Sequence, residues 1–230
     1  DEEDLRLGLG RLPRLLAIRV DGVEGQLHIE GVDGSGKTTL AKRLAGWLTS
    51  QNIPNDLVHN PSSTGLGKEI GERLKNSNSH SDLVKASLFM AAHFELLDKH
   101  ILPALDKGKV VICDRYTPST IHYQFGYEIV SCLPSWYCNT VASMIEALSH
   151  MPQPEVFFIL KCKWSEIAKR KIQALDHLEY DESNMTRIAE AYYATNKISD
   201  SQVFSLYANA SADDVFEDAK NRLQGLIGKR

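Results

Sequence analysis

The sequence is poor in cysteine, carries no net positive charge and has no long apolar run. Its four cysteines, Cys113, Cys132, Cys138 and Cys162, form no Cys-x-x-Cys pair and have no histidine at zinc-ligand spacing. Neither a zinc site nor a disulfide framework is therefore indicated. The longest apolar run, residues 156–160, has the length of a buried strand and not the ~20 residues that cross a bilayer. With a net charge of −4, the chain lacks the basic surface that binds nucleic acid polymers. We expect a cytoplasmic or organellar protein with neither nucleic acid nor membrane as a partner.

The length of 230 residues suits one α/β domain with a single core. We assign that domain to residues 25–230 and treat residues 1–24 as an N-terminal extension of uncertain role. The extension has four arginines among leucines, but the acidic residues at positions 1–4 are atypical of a targeting peptide. Its weak periodicity predicts an extra strand or an extension without a catalytic role.

Short apolar segments alternate with longer amphipathic segments from residue 26 onward. The apolar segments predict five strands, at residues 26–30, 55–59, 109–114, 155–161 and 202–207. Helical spacing of apolar residues predicts helices from about residue 36, at 68–74, 82–107, 133–148 and 184–198, and from residue 213. This alternation predicts a three-layer α/β domain, in which helices cover both faces of a five-stranded parallel sheet.

Residues 31–38 read G-x-x-x-x-G-K-T between a predicted strand and a predicted helix, which is the context that a phosphate-binding P-loop requires. Glycines let the backbone turn so tightly that successive N–H groups face phosphate oxygens. Lys37 is expected to bridge the β- and γ-phosphates, and the Thr38 hydroxyl to ligate Mg²⁺. The predicted nucleotide-binding set is Gly31, Asp33, Gly34, Ser35, Gly36, Lys37, Thr38 and Thr39.

Asp114 and Arg115 follow the third predicted strand directly. Ligands of open α/β sheets bind at the carboxyl ends of the strands, so Asp114 is a candidate second ligand of the magnesium ion. The Arg115 guanidinium suits a second anionic substrate, because its fork can hold a phosphate by two hydrogen bonds. A structural ion pair between the two residues is the alternative interpretation.

Several separate segments together resemble the thymidylate kinase family, whose members transfer the γ-phosphate of ATP to dTMP. They are the P-loop at residues 29–39 with an aspartate at its third position, the proline-containing segment 60–67, and the segments 88–93, 108–116 and 119–124. The resemblance covers residues 25–228. It implies a P-loop kinase fold, ATP and Mg²⁺ as cofactors, conversion of dTMP to dTDP and, as is common among relatives, a homodimer.

The resemblance also implies roles for individual residues. Phe89 would stack on the thymine, Thr120 would face the polar edge of the base, and Tyr123 would press on the deoxyribose. Asp33 would lie between the two substrates, and Arg115 would hold the acceptor phosphate. Taken alone, the apolar stripe around Phe89 would indicate ordinary core packing. Pro61, His93 and Ser119 complete the predicted substrate-binding set.

The family resemblance places a mobile lid at about residues 163–183. Since the P-loop has Gly34 rather than an arginine, the cation that stabilises the transferred phosphoryl group is expected from the lid. Arg170 is the first choice and Lys169 the alternate, against the alternative of a solvated basic helix face. The predicted catalytic set is Lys37, Asp114, Arg115 and Arg170, with Thr38 and Asp114 as metal ligands.

Three histidines depart from the family's pattern and leave the acceptor open. His93 and His177 stand where the family usually has arginine, and His59-Asn60 stands where many relatives have Arg-Glu. A histidine titrates near neutrality, so these changes bear on the choice of base. The alternatives are a kinase of another nucleoside monophosphate or of a nucleoside, and a nucleotide-binding regulatory protein without transfer activity.

Overall fold

A computed structural model describes residues 25–75, 81–124, 134–174, 182–194 and 201–227. Its five strands are β1 (Gly25–Gly31), β2 (Asn55–His59), β3 (Val110–Asp114), β4 (Val156–Lys161) and β5 (Gln202–Tyr207). All four strand pairs are parallel, and the order across the sheet is β2-β3-β1-β4-β5. The predicted α/β class and its five-stranded parallel sheet are thereby confirmed. The extension at residues 1–24 lies outside the described residues.

Helices cover the sheet on both faces. They are α1 (Lys37–Ser50), α2 (Gly65–Lys75), α3 (Asp82–Leu96), α4 (Leu102–Leu105), α5 (Thr117–Gln124), α6 (Ser135–Ser149), α7 (Trp164–Ala174), α8 (Glu182–Ala194) and α9 (Ala212–Ile227). One apolar cluster joins β1 and β4 to α1, α8 and α9, and the other joins β3 to α3, α4 and α6. Neighbouring residues of β3 alternate between the two clusters, Ile112 in the first and Val111 in the second, as residues of a strand buried on both faces do.

Local structure differs from the sequence prediction at the end of α3 and at two helices that were not predicted. The helix predicted at residues 82–107 is interrupted by a π turn at Leu97–Ile101 before α4. Pro103 lies just beyond this turn and has no backbone N–H to continue the α-helical hydrogen bonds. The helices α5 and α7 were not predicted, although Pro118 near the start of α5 is typical of a first helical turn.

Strand register brings the carboxyl ends of the central strands to one edge of the sheet. Ile29 of β1 and His59 of β2 both pair with Asp114 of β3, and Gly31 pairs with Leu160 of β4. The loops that follow β1, β2 and β3 therefore begin side by side. A search of the described helices finds none with the length and apolar character that a bilayer crossing needs.

Candidate functional site

The P-loop has the backbone conformation that its glycines allow. Gly34 and Gly36 have φ angles of 82° and 98°, in the left-handed region that L-residues avoid. A Cβ atom at Gly31 would lie 2.8 Å from the Leu160 carbonyl oxygen, so a larger residue would push β4 away. The Lys37 side chain is buried, and its Nζ donates to the Val32 carbonyl at 2.8 Å. The loop thus wraps around its own lysine and directs it toward the edge of the sheet.

Thr38 and Asp114 meet where a magnesium site was predicted. The Thr38 hydroxyl donates to Asp114 Oδ2 at 2.5 Å, and Asp114 Oδ1 is buried without a hydrogen-bond partner. His59 Nε2 lies 3.7 Å from Asp114 Oδ2. A buried carboxylate oxygen that lacks a partner, beside a hydroxyl, fits Mg²⁺, which takes oxygen ligands and usually only one or two carboxylates beside substrate phosphates. The described residues contain no group of three or more metal-ligating side chains, as expected for a site that phosphates complete.

Arg115 is held from several directions at the carboxyl end of β3. Its backbone φ is 74°, a left-handed conformation that is strained for a non-glycine residue. The guanidinium pairs with Asp33 Oδ1 and donates to the Ser119 hydroxyl at 3.2 Å. It also lies 5.4 Å from the centre of the Tyr123 ring, whose hydroxyl accepts from the Asp33 N–H at 3.0 Å. The structure therefore brings Asp33, Arg115, Ser119 and Tyr123 together.

Glu30 supports the site by hydrogen bonds and was not identified from the sequence. Its buried carboxylate accepts hydrogen bonds from the Tyr116 N–H at 2.6 Å, the Ser119 hydroxyl at 2.7 Å and the Tyr192 hydroxyl at 3.1 Å. Burial raises the pKa of Glu30 to about 7, against the opposing effects of the Ser119 hydrogen bond and the Arg115 charge. The carboxylate fixes the backbone directly after Arg115. A carboxylate within the predicted first strand, directly before the P-loop, was the signal that could have identified it.

A cavity of about 1250 Å³ runs along both sides of the P-loop. On the side of β3 it is lined by Pro61, Phe89, Arg115, Ser119, Thr120 and Tyr123, and on the side of β5 by residues 208–212 and Val215. His93 does not line it: the ring is fully buried between Asn60 and Thr120. Every other residue of the predicted substrate-binding set borders the cavity. The cavity thus has room on both sides of the phosphate loop.

Arg170 reaches the P-loop from α7. Its NH1 atom lies 3.3 Å from the Gly34 carbonyl oxygen, and NH2 donates to the Ala208 carbonyl at 2.7 Å. Glu166 accepts from Arg170 Nε at 3.2 Å and thereby fixes the direction of the side chain. Lys169, the alternate choice, is 74% exposed, and its Nζ lies 3.7 Å from Glu166 Oε2. Of the two predicted cations, Arg170 is the one that borders the cavity, while residues 175–181 of the predicted lid, including His177, lie outside the described residues.

A family model described as thymidylate kinase matches residues 29–219, which include four whole strands, the end of β1 and every residue that lines the cavity. The chain belongs to the thymidylate kinase family. A probable thymidylate kinase of Pyrococcus abyssi is 33% identical over 216 residues, covering 86% of this chain and 97% of that protein. The thymidylate kinase of Cutibacterium acnes is 32% identical over 209 residues, covering 87% and 96%. That of Carboxydothermus hydrogenoformans is 46% identical over 103 residues, covering 44% and 50%.

Membership in the thymidylate kinase family confirms the resemblance drawn from the sequence segments. The family uses ATP and small nucleotides as substrates, which confirms that part of the predicted ligand set. The roles of single residues are not decided by membership. They depend on the geometry described above and remain predictions.

Burial of Lys37 has a kinetic consequence. It lowers the pKa of Lys37 to about 8, although the nearby Asp114 and Glu30 carboxylates act in the opposite direction. Bound phosphates favour the ammonium form and raise this pKa again. As the pH rises above about 8, the ligand-free enzyme should lose this proton, and kcat/KM for ATP should fall roughly tenfold per pH unit. Steady-state kinetics from pH 7 to 10 measure this; a flat profile would contradict it.

Proposed function

We propose that this protein phosphorylates dTMP to dTDP with ATP and thereby supplies a precursor of dTTP. The observation that carries the proposal is the pairing of two phosphate-binding groups across one cavity. Lys37 and the P-loop lie at the centre, Arg170 approaches from one side, and Arg115 approaches from the other beside Phe89. A cavity of this kind suits a phosphate donor in one half and, in the other half, an acceptor that already bears a phosphate.

The donor half is assigned to the P-loop and the loop before α9. The P-loop N–H groups and the Lys37 ammonium would hold the β- and γ-phosphates, and the base would lie near residues 208–212. Thr38 and Asp114 would hold Mg²⁺, as the unpartnered Asp114 Oδ1 suggests. When bound, Mg²⁺ neutralises charge on the β- and γ-phosphates.

The acceptor half is assigned to Phe89, Arg115, Ser119, Thr120 and Tyr123. Phe89 offers an aromatic face to the base, a contact worth about 1–3 kcal/mol. Arg115 would bind the acceptor phosphate, and Asp33 would lie between the two substrates. A monophosphate oxygen is already a nucleophile, so this half needs positioning and charge neutralisation more than a general base.

Arg170 is proposed as the cation that stabilises the phosphoryl group during transfer. It now donates to P-loop carbonyl groups and to Ala208, so small rotations of its guanidinium could exchange these acceptors for phosphate oxygens. We propose that residues 163–183 act as the lid that excludes water, within a single domain at residues 25–230. The extension at residues 1–24 is proposed to have no catalytic role.

The proposed partners are small nucleotides, with neither a nucleic acid polymer nor a membrane. A homodimer is proposed through α3, where the side chains of Val84 and Phe94 are 44% and 45% exposed. The proposed location is the cytoplasm, with an organelle as the alternative.

A coupled assay of ADP formation tests the proposed function. The acceptors are dTMP, dUMP, dCMP, dGMP, CMP and thymidine, each compared with ATP alone. We expect dTMP to give the highest kcat/KM, and thymidine to give no rate above the baseline because it has no phosphate for Arg115. If no acceptor raises ADP formation above the rate with ATP alone, the kinase proposal fails. If thymidine is used and dTMP is not, the assignment of Arg115 fails.

A further inference from the structure

Two neighbouring tyrosines on α8 contact residues that support the two halves of the cavity. Successive side chains of a helix point roughly 100° apart, so Tyr192 and Tyr193 reach different elements. The buried Tyr192 ring packs on His122 of α5, with ring centres 4.5 Å apart. The half-buried Tyr193 ring lies at the end of β4, where Lys161 Nζ is 5.1 Å from its centre. Neither tyrosine borders the cavity itself.

The Tyr192 hydroxyl is joined to Arg115 by a short chain of hydrogen bonds. It donates to Glu30 Oε2 at 3.1 Å and lies 2.8 Å from the Ser119 hydroxyl oxygen. Ser119 also donates to Glu30 Oε2, at 2.7 Å, so its lone pairs face Arg115, whose NH1 atom donates to it at 3.2 Å. Removing the Tyr192 hydroxyl would leave Ser119 with one partner fewer on the side away from Arg115. The guanidinium would then have a less fixed acceptor.

The Tyr193 hydroxyl fixes the backbone between β4 and α7. It accepts from the Cys162 N–H at 3.0 Å and donates to the Cys162 carbonyl at 3.1 Å. Cys162 lies two residues before the start of α7, and its Sγ atom is 3.8 Å from Arg170 NH1. A peptide whose N–H and carbonyl groups are both paired resists rotation. Tyr193 therefore fixes the direction in which α7 leaves the sheet, and with it the approach of Arg170.

Packing alone requires neither hydroxyl, because a phenylalanine would fill the same space without a polar atom to satisfy. Each hydroxyl instead bonds to two groups that lie next to one of the two arginines. We propose that Tyr192 and Tyr193 are positioning residues, Tyr192 for Arg115 at the acceptor phosphate and Tyr193 for Arg170 at the transferred phosphoryl group. This inference rests on the proposed function of the cavity and deepens it, because it assigns the placement of both arginines to one helix.

Tyr192→Phe should raise KM for dTMP and leave kcat nearly unchanged. A displacement of about 1 Å can cost 10²-fold, so the smaller displacement of a guanidinium that keeps its Asp33 partner should cost about fivefold. Both kcat and KM for ATP should stay within about twofold, because the donor half is untouched. Steady-state kinetics with each substrate varied in turn measures the three constants.

Tyr193→Phe should give the opposite pattern. Arg170 is proposed to act on the phosphoryl group during transfer, so its misplacement should lower kcat, by about fivefold on the same reasoning. KM for dTMP should stay within about twofold, because Arg115 and Ser119 keep their contacts. Equal effects of the two variants on every constant would indicate a general structural role and would overturn the inference.

Double variants test whether each tyrosine acts through its arginine. Tyr192→Phe should lower kcat/KM for dTMP no further in Arg115→Ala, and Tyr193→Phe should lower kcat no further in Arg170→Ala. Losses that multiply in the double variants would overturn the inference. This outcome would mean that the tyrosines act on the reaction by a route that does not include these arginines.

Ile188→Val is the matched control. Ile188 lies one turn before Tyr192 on α8, is buried in the same apolar cluster and does not border the cavity. Its replacement loosens the packing of α8 without removing a hydrogen bond. Both kcat and the two KM values should stay within about twofold. A change of KM for dTMP or of kcat as large as in the tyrosine variants would overturn the inference.

Calorimetric titration with dTMP gives a test that needs no turnover. The dissociation constant for dTMP should rise about fivefold in Tyr192→Phe and stay within about twofold in Tyr193→Phe. Unchanged binding in Tyr192→Phe, or equal weakening in both variants, would overturn the inference. Wild-type protein that turns over no monophosphate would instead reject the proposed function. Turnover in wild type with unaltered constants in both tyrosine variants would reject this inference alone.

Discussion

Arg115→Gly and Arg115→Ala should each lower kcat/KM for dTMP about 10³-fold. Both remove the guanidinium that lies among Asp33, Ser119 and Tyr123, and with it the charged fork proposed to hold the acceptor phosphate. Arginines that stabilise phosphoryl transfer contribute factors of about 10³–10⁵ to the rate. The measurement is steady-state kinetics with dTMP varied at saturating ATP.

The two Arg115 variants differ in stability, which separates catalysis from folding. Residue 115 has a φ of 74°, which costs an alanine roughly 1 kcal/mol that a glycine avoids. Urea unfolding should therefore show the glycine variant to be more stable than the alanine variant by about this amount. If the two variants differ in stability but lose activity equally, the loss is due to the missing Arg115 side chain and not to reduced stability. Recovery of activity in the glycine variant alone would contradict the role of Arg115.

Lys37→Met should lower kcat about 10³-fold and change KM for dTMP less than about threefold. The methionine keeps most of the buried aliphatic stem and removes the ammonium that lies 2.8 Å from the Val32 carbonyl oxygen. Loss of one preorganised charge at a transferred phosphoryl group costs about 10²–10³ or more in rate. Burial alone disfavours the charged form of Lys37, so the variant should not be less stable than wild type.

Lys42→Met is the matched control for Lys37→Met. Lys42 lies on the same helix α1, one turn further on, and its side chain is exposed. Its replacement should leave kcat within about twofold, as is usual for surface positions. If Lys37→Met retained more than a tenth of the wild-type kcat, the donor site would have to be placed elsewhere.

The strands and the phosphate loop could be predicted because their signals are local. The five apolar segments are short enough to be strands, and glycine spacing between a strand and a helix defines the loop. The π turn before Pro103 and the helices α5 and α7 were missed. The π turn depends on backbone hydrogen bonds that residue periodicity does not encode. Helix boundaries elsewhere shifted by a few residues, as at α2, which begins at Gly65 rather than Lys68.

The sequence predicted the residues that line the cavity better than the buried residues that hold them in place. Phe89 and Tyr123 border the cavity as the resemblance implied. Glu30 was missed because its role lies in a hydrogen-bond network with Ser119 and Tyr192, which are 89 and 162 residues away in sequence. His93 was predicted to bind the substrate. Helical spacing shows which face of a helix a residue lies on, but not how deeply that face is buried. Its burial became visible only with α3 packed against α5.

Asp33 lies between Lys37 and Arg115, the two cations proposed to bind phosphate. Its carboxylate pairs with Arg115, and Oδ1 is 3.8 Å from Lys37 Nζ. Without this carboxylate, two desolvated positive charges would face each other across the cleft. A phosphate that binds therefore replaces the Asp33 carboxylate as the partner of each cation, instead of neutralising a cation that had no partner. We expect this exchange to weaken the binding of phosphate when product leaves, so that the carboxylate that balances the two cations also favours rapid turnover.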